Sequence, residues 1–529
     1  MDFELSADQK LLLDTVASFV KRESPVSRLR SLRADPLGWQ RPTWKQMGDL
    51  GWLAIALPEE AGGLGGSFVD ASLVLEQLGT TLVPEPYVPT LLAAIAIGRR
   101  GDDAQRERFL APALAGDTSL AFAWAEQGSR FSADDPKVVA TANGDGFSLS
   151  GTKVFVDNGH AADHLVVTAR DGAHVSLFVV DPKAPGVTVE AFPTIDGHRA
   201  ARIRCDAVKL TKDARLGEGD ASALVTELLD LGAAAACAEA VGIMRTVLAM
   251  TCDYLRTREQ FGVKIGSFQA LAHRAVDMFV ETELSRGVTM IASMKVASEP
   301  SDRMAAVSAA KAQVFESGRF VTQQAIQLHG GIGVTDEHDI GLYFKRMHVL
   351  LTAYGDEEHH VSRFASLPTF ALHSEAIPGG RNDDLGEAFF LELPLQHALR
   401  GLVAVHEGDV RQIAGAPRRA GELEQVVLIA VRRETGQHVH TRPQVALDAE
   451  DLHPRAPFDD APTERVLCLE ADDHHGILRV FDGGLQVVKH APRLAHAAGR
   501  EHDRRPRRGI DGLRLFLVGH VRQRREVER

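Results

Sequence analysis

The chain has 529 residues, a formal net charge of −13 and 44% hydrophobic residues. That length predicts several domains rather than one core, and the acidic balance argues against non-specific binding to nucleic acid or to an anionic membrane. No run approaches the roughly 18 apolar residues of a membrane helix, the first residues lack the apolar centre of a secretion signal, and the four cysteines form no CxxC pair; the expectation is a cytoplasmic protein with reduced thiols and no metal site.

The first block, residues 1–118, reads as an α-helical domain. Residues 5–22 have helical periodicity, with Leu11, Leu12, Val16, Phe19 and Val20 on one stripe and Ser6 as N-cap. Further helices are expected at 43–50, 69–78, 87–99 and 103–114. Between the second and third, Gly62, Gly63, Gly65 and Gly66 follow Pro58. The cluster has neither a preceding βαβ strand nor a GK[ST] ending, so it reads as a tight inter-helix loop, not a phosphate loop.

The pattern changes at Ser119. Short β-type runs, broken by Gly, Asn, Asp and Pro at roughly 8 to 12 residue intervals, predict a small β-sandwich or barrel over 119–214. Long helical patterns return at 221–256, 267–297, 303–329 and 339–364, which describes a four-helix bundle over 215–370. The fold class is therefore α+β and multidomain. The Ala-rich stretch 233–240 reads as close helix packing. Beyond Ser374 there is no Ser, Met, Trp or Tyr, and Lys489 is the only lysine. The scattered histidines there have no ligand spacing. This Arg/His-rich extension, 371–529, resembles GC-rich coding DNA read in the wrong frame or past a lost stop, and is expected to be poorly ordered.

Four segments carry a resemblance. They are PEEAGGLGG, GTKVFVDNG, YLRTREQFGVKIGSFQALAHRAVDM and QLHGGIGVTDEHDIGLYFKR. In this order and spacing, across about residues 1–370, they resemble the acyl-CoA dehydrogenase family, and within it the small subunits of two-subunit dehydrogenases of the pimeloyl-CoA and steroid side-chain type. The resemblance implies α,β-dehydrogenation of an acyl-CoA, with FAD accepting a hydride and an electron-transfer flavoprotein downstream. The β carbon carries no useful acidity, so the hydride acceptor has to be a cofactor. The α proton needs a carboxylate within hydrogen-bond reach.

In such proteins each FAD lies across two subunits. The positions matching contacts to the neighbouring subunit's FAD are Arg258, Phe261, Gln269, Gln327, Gly330 and Gly331. An arginine suits a pyrophosphate through charge and paired donors. On the flavin-ring side, Phe155 stands where the family has an aromatic, and Asp157 where it has a Thr. The loop usually written TEPGAGSD reads AEQGSRFS. Both family positions for the catalytic base hold glycine: Gly355 after Tyr354, and Gly232 in LDLG, followed by Ala233 where the family has Arg. Asp356 and Glu357 lie just past Gly355. Two readings follow. In the first, the chain is a non-catalytic partner, in an α2β2 assembly with a larger homologous subunit, holding the adenine-pyrophosphate end of that subunit's FAD. In the second, it self-associates as a self-sufficient dehydrogenase whose base is displaced to Asp356 or Glu357.

Overall fold

The computed structural model describes residues 5–367 and four strands in the C-terminal part of the chain. The N-terminal helices are α1 (Ala7–Glu23), α2 (Val26–Leu32), α3 (Arg41–Asp49), α4 (Phe68–Thr81) and α5 (Tyr87–Arg100). Ser6 caps α1 reciprocally: its Oγ accepts from the Gln9 N–H and its own N–H donates to Gln9 Oε1, both at 3.1 Å. Val16, Phe19 and Val20 are buried, but Leu11 is 66% exposed. Five residues back from Val16 is a turn of roughly 500°, which puts Leu11 about 140° around the helix from Val16 and outside the arc that Val16, Phe19 and Val20 cover. The helix expected at 103–114 is divided into α6 (Asp103–Gln105), a π-helical turn at Arg106–Leu110 and α7 (Ala111–Leu114). Pro112 has no N–H to donate to the turn before it. In the glycine loop, a Cβ on Gly63 would meet the Leu57 carbonyl at 2.1 Å, and one on Gly66 the Ile55 carbonyl at 2.5 Å. These glycines serve backbone-to-backbone approach.

The middle strands are β1 (Leu120–Ala123), β2 (Val139–Asn143), β3 (Gly146–Asp157), β4 (His164–Asp171), β5 (His174–Val180), β6 (Val187–Pro193) and β7 (Arg199–Leu210). They join into one seven-stranded sheet, ordered β1-β4-β2-β3-β7-β6 with β5 on β4. The β1–β4 and β2–β4 pairs are parallel and the others antiparallel. The sheet closes on one apolar core that includes Leu149, Leu165, Val167, Phe178 and Ile203.

Next come α8 (Ser222–Thr257), a hairpin of β8 (Glu259–Gln260) and β9 (Val263–Lys264), α9 (Gln269–Lys295) and α10 (Pro300–His329). Among the described residues α8 is the one helix long and apolar enough to cross a membrane, but 78% of its most apolar window is buried inside the protein. Its Ala-rich centre lies against α4. A Cβ on Gly242 would meet the Glu76 carbonyl at 1.9 Å, and one on Gly79 the Glu239 carbonyl at 2.3 Å. The fourth bundle helix is not continuous. It breaks into α11 (Ile340–Thr352) and α12 (Glu357–Ala365), because Tyr354 (φ 57°) and Gly355 (φ 123°) leave helical conformation.

The extension 371–529 lies outside the described residues except for β10 (Val426–Arg432), β11 (Val466–Ala471), β12 (Leu478–Phe481) and β13 (Leu513–Gly519). These form an antiparallel sheet ordered β10-β13-β11-β12.

Candidate functional site

Six of the seven cofactor positions predicted from the sequence gather at one end of the bundle. α8 stops at Arg258, whose backbone turns extended (ψ 128°). The Arg258 carbonyl accepts from the Ile265 N–H at 2.9 Å, which closes the β8–β9 hairpin. The hairpin turn is Phe261-Gly262, both at positive φ, the left-handed pair that a two-residue turn requires. A phenylalanine there is strained, and its ring is 91% exposed. The Tyr254 ring, near the end of α8, stacks on His329 at the end of α10, with centroids 4.6 Å apart. That contact joins the last turns of α8, which lead to Arg258, to the end of α10, where Gln327, Gly330 and Gly331 lie. Gln269 starts α9 just after the hairpin. All six positions are exposed. A Cβ on Gly330 or Gly331 would meet nothing within 4 Å, and no ion pair occupies Arg258 among the described residues. This face has an unspent guanidinium and approachable backbone, and it fits the pyrophosphate end of a dinucleotide.

Phe155 is elsewhere. It sits at a register shift of β3, at φ 49°, with its exposed ring edge-on to Phe192 at 5.4 Å.

The two glycines at the expected base positions, Gly232 and Gly355, are closed by neighbouring rings. A Cβ on Gly232 would lie 2.6 Å from Cδ1 and Cε1 of Tyr354. That tyrosine in turn stacks on Trp124, 6.3 Å away and tilted by 20°. A Cβ on Gly355 would lie 2.4 Å from His360 Nε2 and 2.7 Å from His359 Cδ2. His360 is buried, bonded through Nε2 to the Tyr354 carbonyl at 3.1 Å, and burial pushes its pKa well below the usual imidazole value, with Lys311 adding to the effect. Asp356 is held as the N-cap of α12, its Oδ1 accepting from the His359 N–H at 2.9 Å. Glu357 lies in the first turn of α12, also with interactions of its own.

The sequence reading did not find a buried charge cluster between bundle and sheet. Arg346 on α11 donates to both Glu239 oxygens (2.6 and 2.9 Å), to Asp196 Oδ2 (2.8 Å) and to His198 Nδ1 (3.2 Å). Burial opposes the Asp196 charge, but His198 and Arg346 hold its carboxyl well below the usual range. The one available signal was a glutamate inside the Ala-rich run of α8. Asp157, at the end of β3, opens onto the cleft beside this cluster. The surrounding protein pushes its carboxyl pKa up, while Arg346 and His198 oppose the shift. An acid here is a poor neighbour for a flavin ring that gains negative charge on reduction. The ring end of a flavin site therefore does not fit this chain as well as the pyrophosphate end does.

A second buried pair sets the loop 124–138. Lys153 Nζ donates to Glu126 Oε1 (2.6 Å), Thr168 Oγ1 (2.7 Å) and the Trp124 carbonyl (3.2 Å). The Glu126 carboxylate also accepts from the N–H groups of Lys137 and Val138.

Family models match nearly all of the described residues up to 367: the acyl-CoA dehydrogenase N-terminal domain over 6–117, the middle domain over 121–208 and the C-terminal domain over 221–366. The chain is 33% identical over 350 residues to the acyl-CoA dehydrogenase IpdE2 of Mycolicibacterium smegmatis, covering 65% of this chain and 93% of that one. Among solved structures it resembles the ChsE4-ChsE5 complex from Mycobacterium tuberculosis (28% identity, TM-score 0.64, covering 72% of this chain and 100% of that one). It also resembles a variant of the Tcur3481-Tcur3483 steroid ACAD (30% identity, TM-score 0.63, covering 69% and 99%). Helical, sheet and helical domains in the matched order make this chain a member of the acyl-CoA dehydrogenase family, FAD-dependent oxidoreductases acting on CH–CH bonds.

Proposed function

We propose that this chain is the non-catalytic partner subunit of a heteromeric, cytoplasmic acyl-CoA dehydrogenase. It would hold the adenine-pyrophosphate end of an FAD whose ring and catalytic base belong to a larger homologous chain, in an α2β2 assembly that passes electrons to an electron-transfer flavoprotein. The observation that carries this reading is the contrast between two regions of one bundle. The Arg258–Gln327 face is open and unspent, while Gly232 and Gly355 lie under Tyr354, His359 and His360. Both solved relatives named above carry two chain names, which supports the same reading.

FAD, when bound, supplies the hydride acceptor for α,β-dehydrogenation of the acyl-CoA thioester. The contribution of this chain is binding and orientation. Arg258 supplies charge and paired donors for the pyrophosphate, Gln327 and Gln269 supply amide groups, and Gly330 and Gly331 let backbone approach. The exposed Phe261, Val263, Phe268, Ile332 and Val334 surround these groups with apolar surface suited to a subunit contact.

The alternative, a self-sufficient enzyme with its base at Asp356 or Glu357, requires Asp356 to give up its helix cap. Purification separates the two. Expected is colourless protein when the chain is expressed alone, and flavin bound in a stoichiometric complex when it is co-expressed with a larger homologue. Yellow, active protein from this chain alone, with activity lost in Asp356→Asn or Glu357→Gln, would overturn the proposal in favour of the alternative.

A further inference from the structure

The glycine pair of the cofactor face has no side chains of its own to hold it. Gly330 and Gly331 open a short 3-10 turn, Gly330–Val334, with Gly330 at φ 62°. A Cβ on either would meet no atom within 4 Å, and glycine backbone has more freedom to lose than any other. The placement of these two residues is therefore set by what grips the segment around them, 329–339.

Before the pair, His329 is 2% exposed, donates from Nδ1 to the Ala325 carbonyl at 2.8 Å and stacks on Tyr254. After it, the segment folds back so that His338 lies against His329, with ring centroids 4.6 Å apart. The grip on this returning part comes from the N-terminal domain. Arg33, just past α2, forks onto both oxygens of Asp336 at 2.9 and 3.1 Å. Arg30, near the end of α2, donates from Nε to Asp339 Oδ1 at 2.9 Å and from Nη1 to the Asp336 carbonyl. His338 thus lies in sequence between two gripped aspartates. The end of α2 is itself anchored, because Arg199 of the sheet donates to the Arg33 and Asp35 carbonyls at 3.2 and 3.0 Å. An isolated exposed ion pair fixes little, but two guanidiniums on two carboxylates, with one pair bidentate, form a network of defined geometry. The two arginines and two aspartates cancel, so the cluster acts by holding backbone and not by recruiting an anion.

We infer that Arg30 and Arg33 are positioning residues for the cofactor. They act through the 330–339 segment and not on the cofactor itself. By holding Asp336 and Asp339 they keep Gly330 and Gly331 in the conformation that lets backbone approach the pyrophosphate, and so slow the release of FAD from the assembled complex. The inference rests on the partner-subunit reading.

Release of FAD from the complex co-purified with a larger homologue, followed by flavin fluorescence, tests it alongside amide hydrogen exchange of residues 330–338. Arg30→Ala combined with Arg33→Ala should speed release about tenfold, the cost of re-ordering roughly one residue of backbone, and should raise exchange across 330–338. Both ion pairs are partly exposed, so subunit stoichiometry should be unchanged and the melting temperature should stay within about 3 °C. Arg33→Asp alone should speed release more than Arg33→Ala, and adding Asp336→Arg should restore at least half of the loss. Recovery by the swapped pair is a result that general loss of packing would not give. Four results would overturn the inference: unchanged release in the double alanine variant, unchanged exchange in it, faster release only in step with lost melting temperature or stoichiometry, or a swapped pair no better than Arg33→Asp alone. Each leaves the partner-subunit reading standing, since the wild-type complex still holds FAD. A wild-type complex that captures no FAD sinks that reading, and this inference with it.

Discussion

Restoring the family carboxylate by Gly355→Glu should damage the chain rather than awaken it. Gly355 has φ 123°, a region that costs a side-chain-bearing residue about 1–3 kcal/mol. Its new Cβ would meet His360 Nε2 at 2.4 Å, against about 3.5–4 Å for a relaxed contact. The imidazole would have to retreat by roughly 1 Å, giving up the 3.1 Å hydrogen bond to the Tyr354 carbonyl. A buried ring left without that partner costs a further 1–3 kcal/mol or so. The expected loss is therefore about 2–6 kcal/mol. The conflict is at Cβ and in the backbone, so Gly355→Ala should lose nearly as much as Gly355→Glu. Adding His360→Ala removes the steric part and leaves the backbone part, so a double-mutant cycle should show coupling of at least about 1 kcal/mol. Urea unfolding followed by circular dichroism measures all four proteins. Wild-type stability in Gly355→Glu, or a large difference between the alanine and glutamate variants, would refute the reasoning. So would dehydrogenase activity gained by this chain alone on that single change.

Other outcomes follow from the same packing. Arg346→Met should cost about 3–5 kcal/mol near neutral pH, since it leaves Glu239 and Asp196 buried and unpaired; a loss under 1 kcal/mol in urea titrations would contradict this. Because the folded-state pKa of Asp196 is depressed, its stabilisation is present in full above the unfolded carboxyl value near pH 4 and fades as pH falls through the folded value. The penalty of Arg346→Met should therefore shrink on acidification, and a penalty constant with pH counts against the account. Lys153→Met should cost several kcal/mol by stranding Glu126, and adding Glu126→Gln should recover part of it; a double variant worse than the sum of the singles would refute the pairing. Burial lowers Lys153 to about 8 despite Glu126, so the folded protein gives up that proton before the unfolded chain does. Its titration should raise stability between about pH 8 and the unfolded value near 10.4, and thermal melts across that window should show the rise. Arg258→Ala should leave the chain's own melting within about 0.5 kcal/mol, because the side chain is exposed. It should weaken FAD retention in the co-purified complex by about ten- to hundredfold; retained flavin at wild-type affinity would remove Arg258 from the cofactor's contacts.

Most of the fold was legible in the chain because periodicity is a local property. The capping box at Ser6, the change to β runs at Ser119 and the long apolar run of α8 each specify an element within a few turns of backbone. The positions Arg258, Gln269, Gln327 and Gly331 could be singled out for a related reason: the roles proposed for them rest on charge, amide groups and missing side chains, which survive in a string of letters. The glycines at the two expected base positions, 232 and 355, could be read as well, and a glycine side chain cannot act as an acid or base. What the string could not convey is what fills the space. Leu11 looks apolar and in period, yet it falls outside the buried arc of Val16, Phe19 and Val20 and faces water. The fourth bundle helix reads as continuous until Tyr354 and Gly355 take positive φ. Arg346 lies more than a hundred residues along the chain from Glu239, Asp196 and His198, and only the meeting of bundle and sheet makes them one ion network. The sequence alone determined that this chain resembles the acyl-CoA dehydrogenases and carries glycine, with no side chain, at 232 and 355. Only the tertiary structure decided that the vacancy is closed, because steric exclusion by Tyr354 and His360 depends on which side chains meet in space, and that is set by packing between elements distant in the chain.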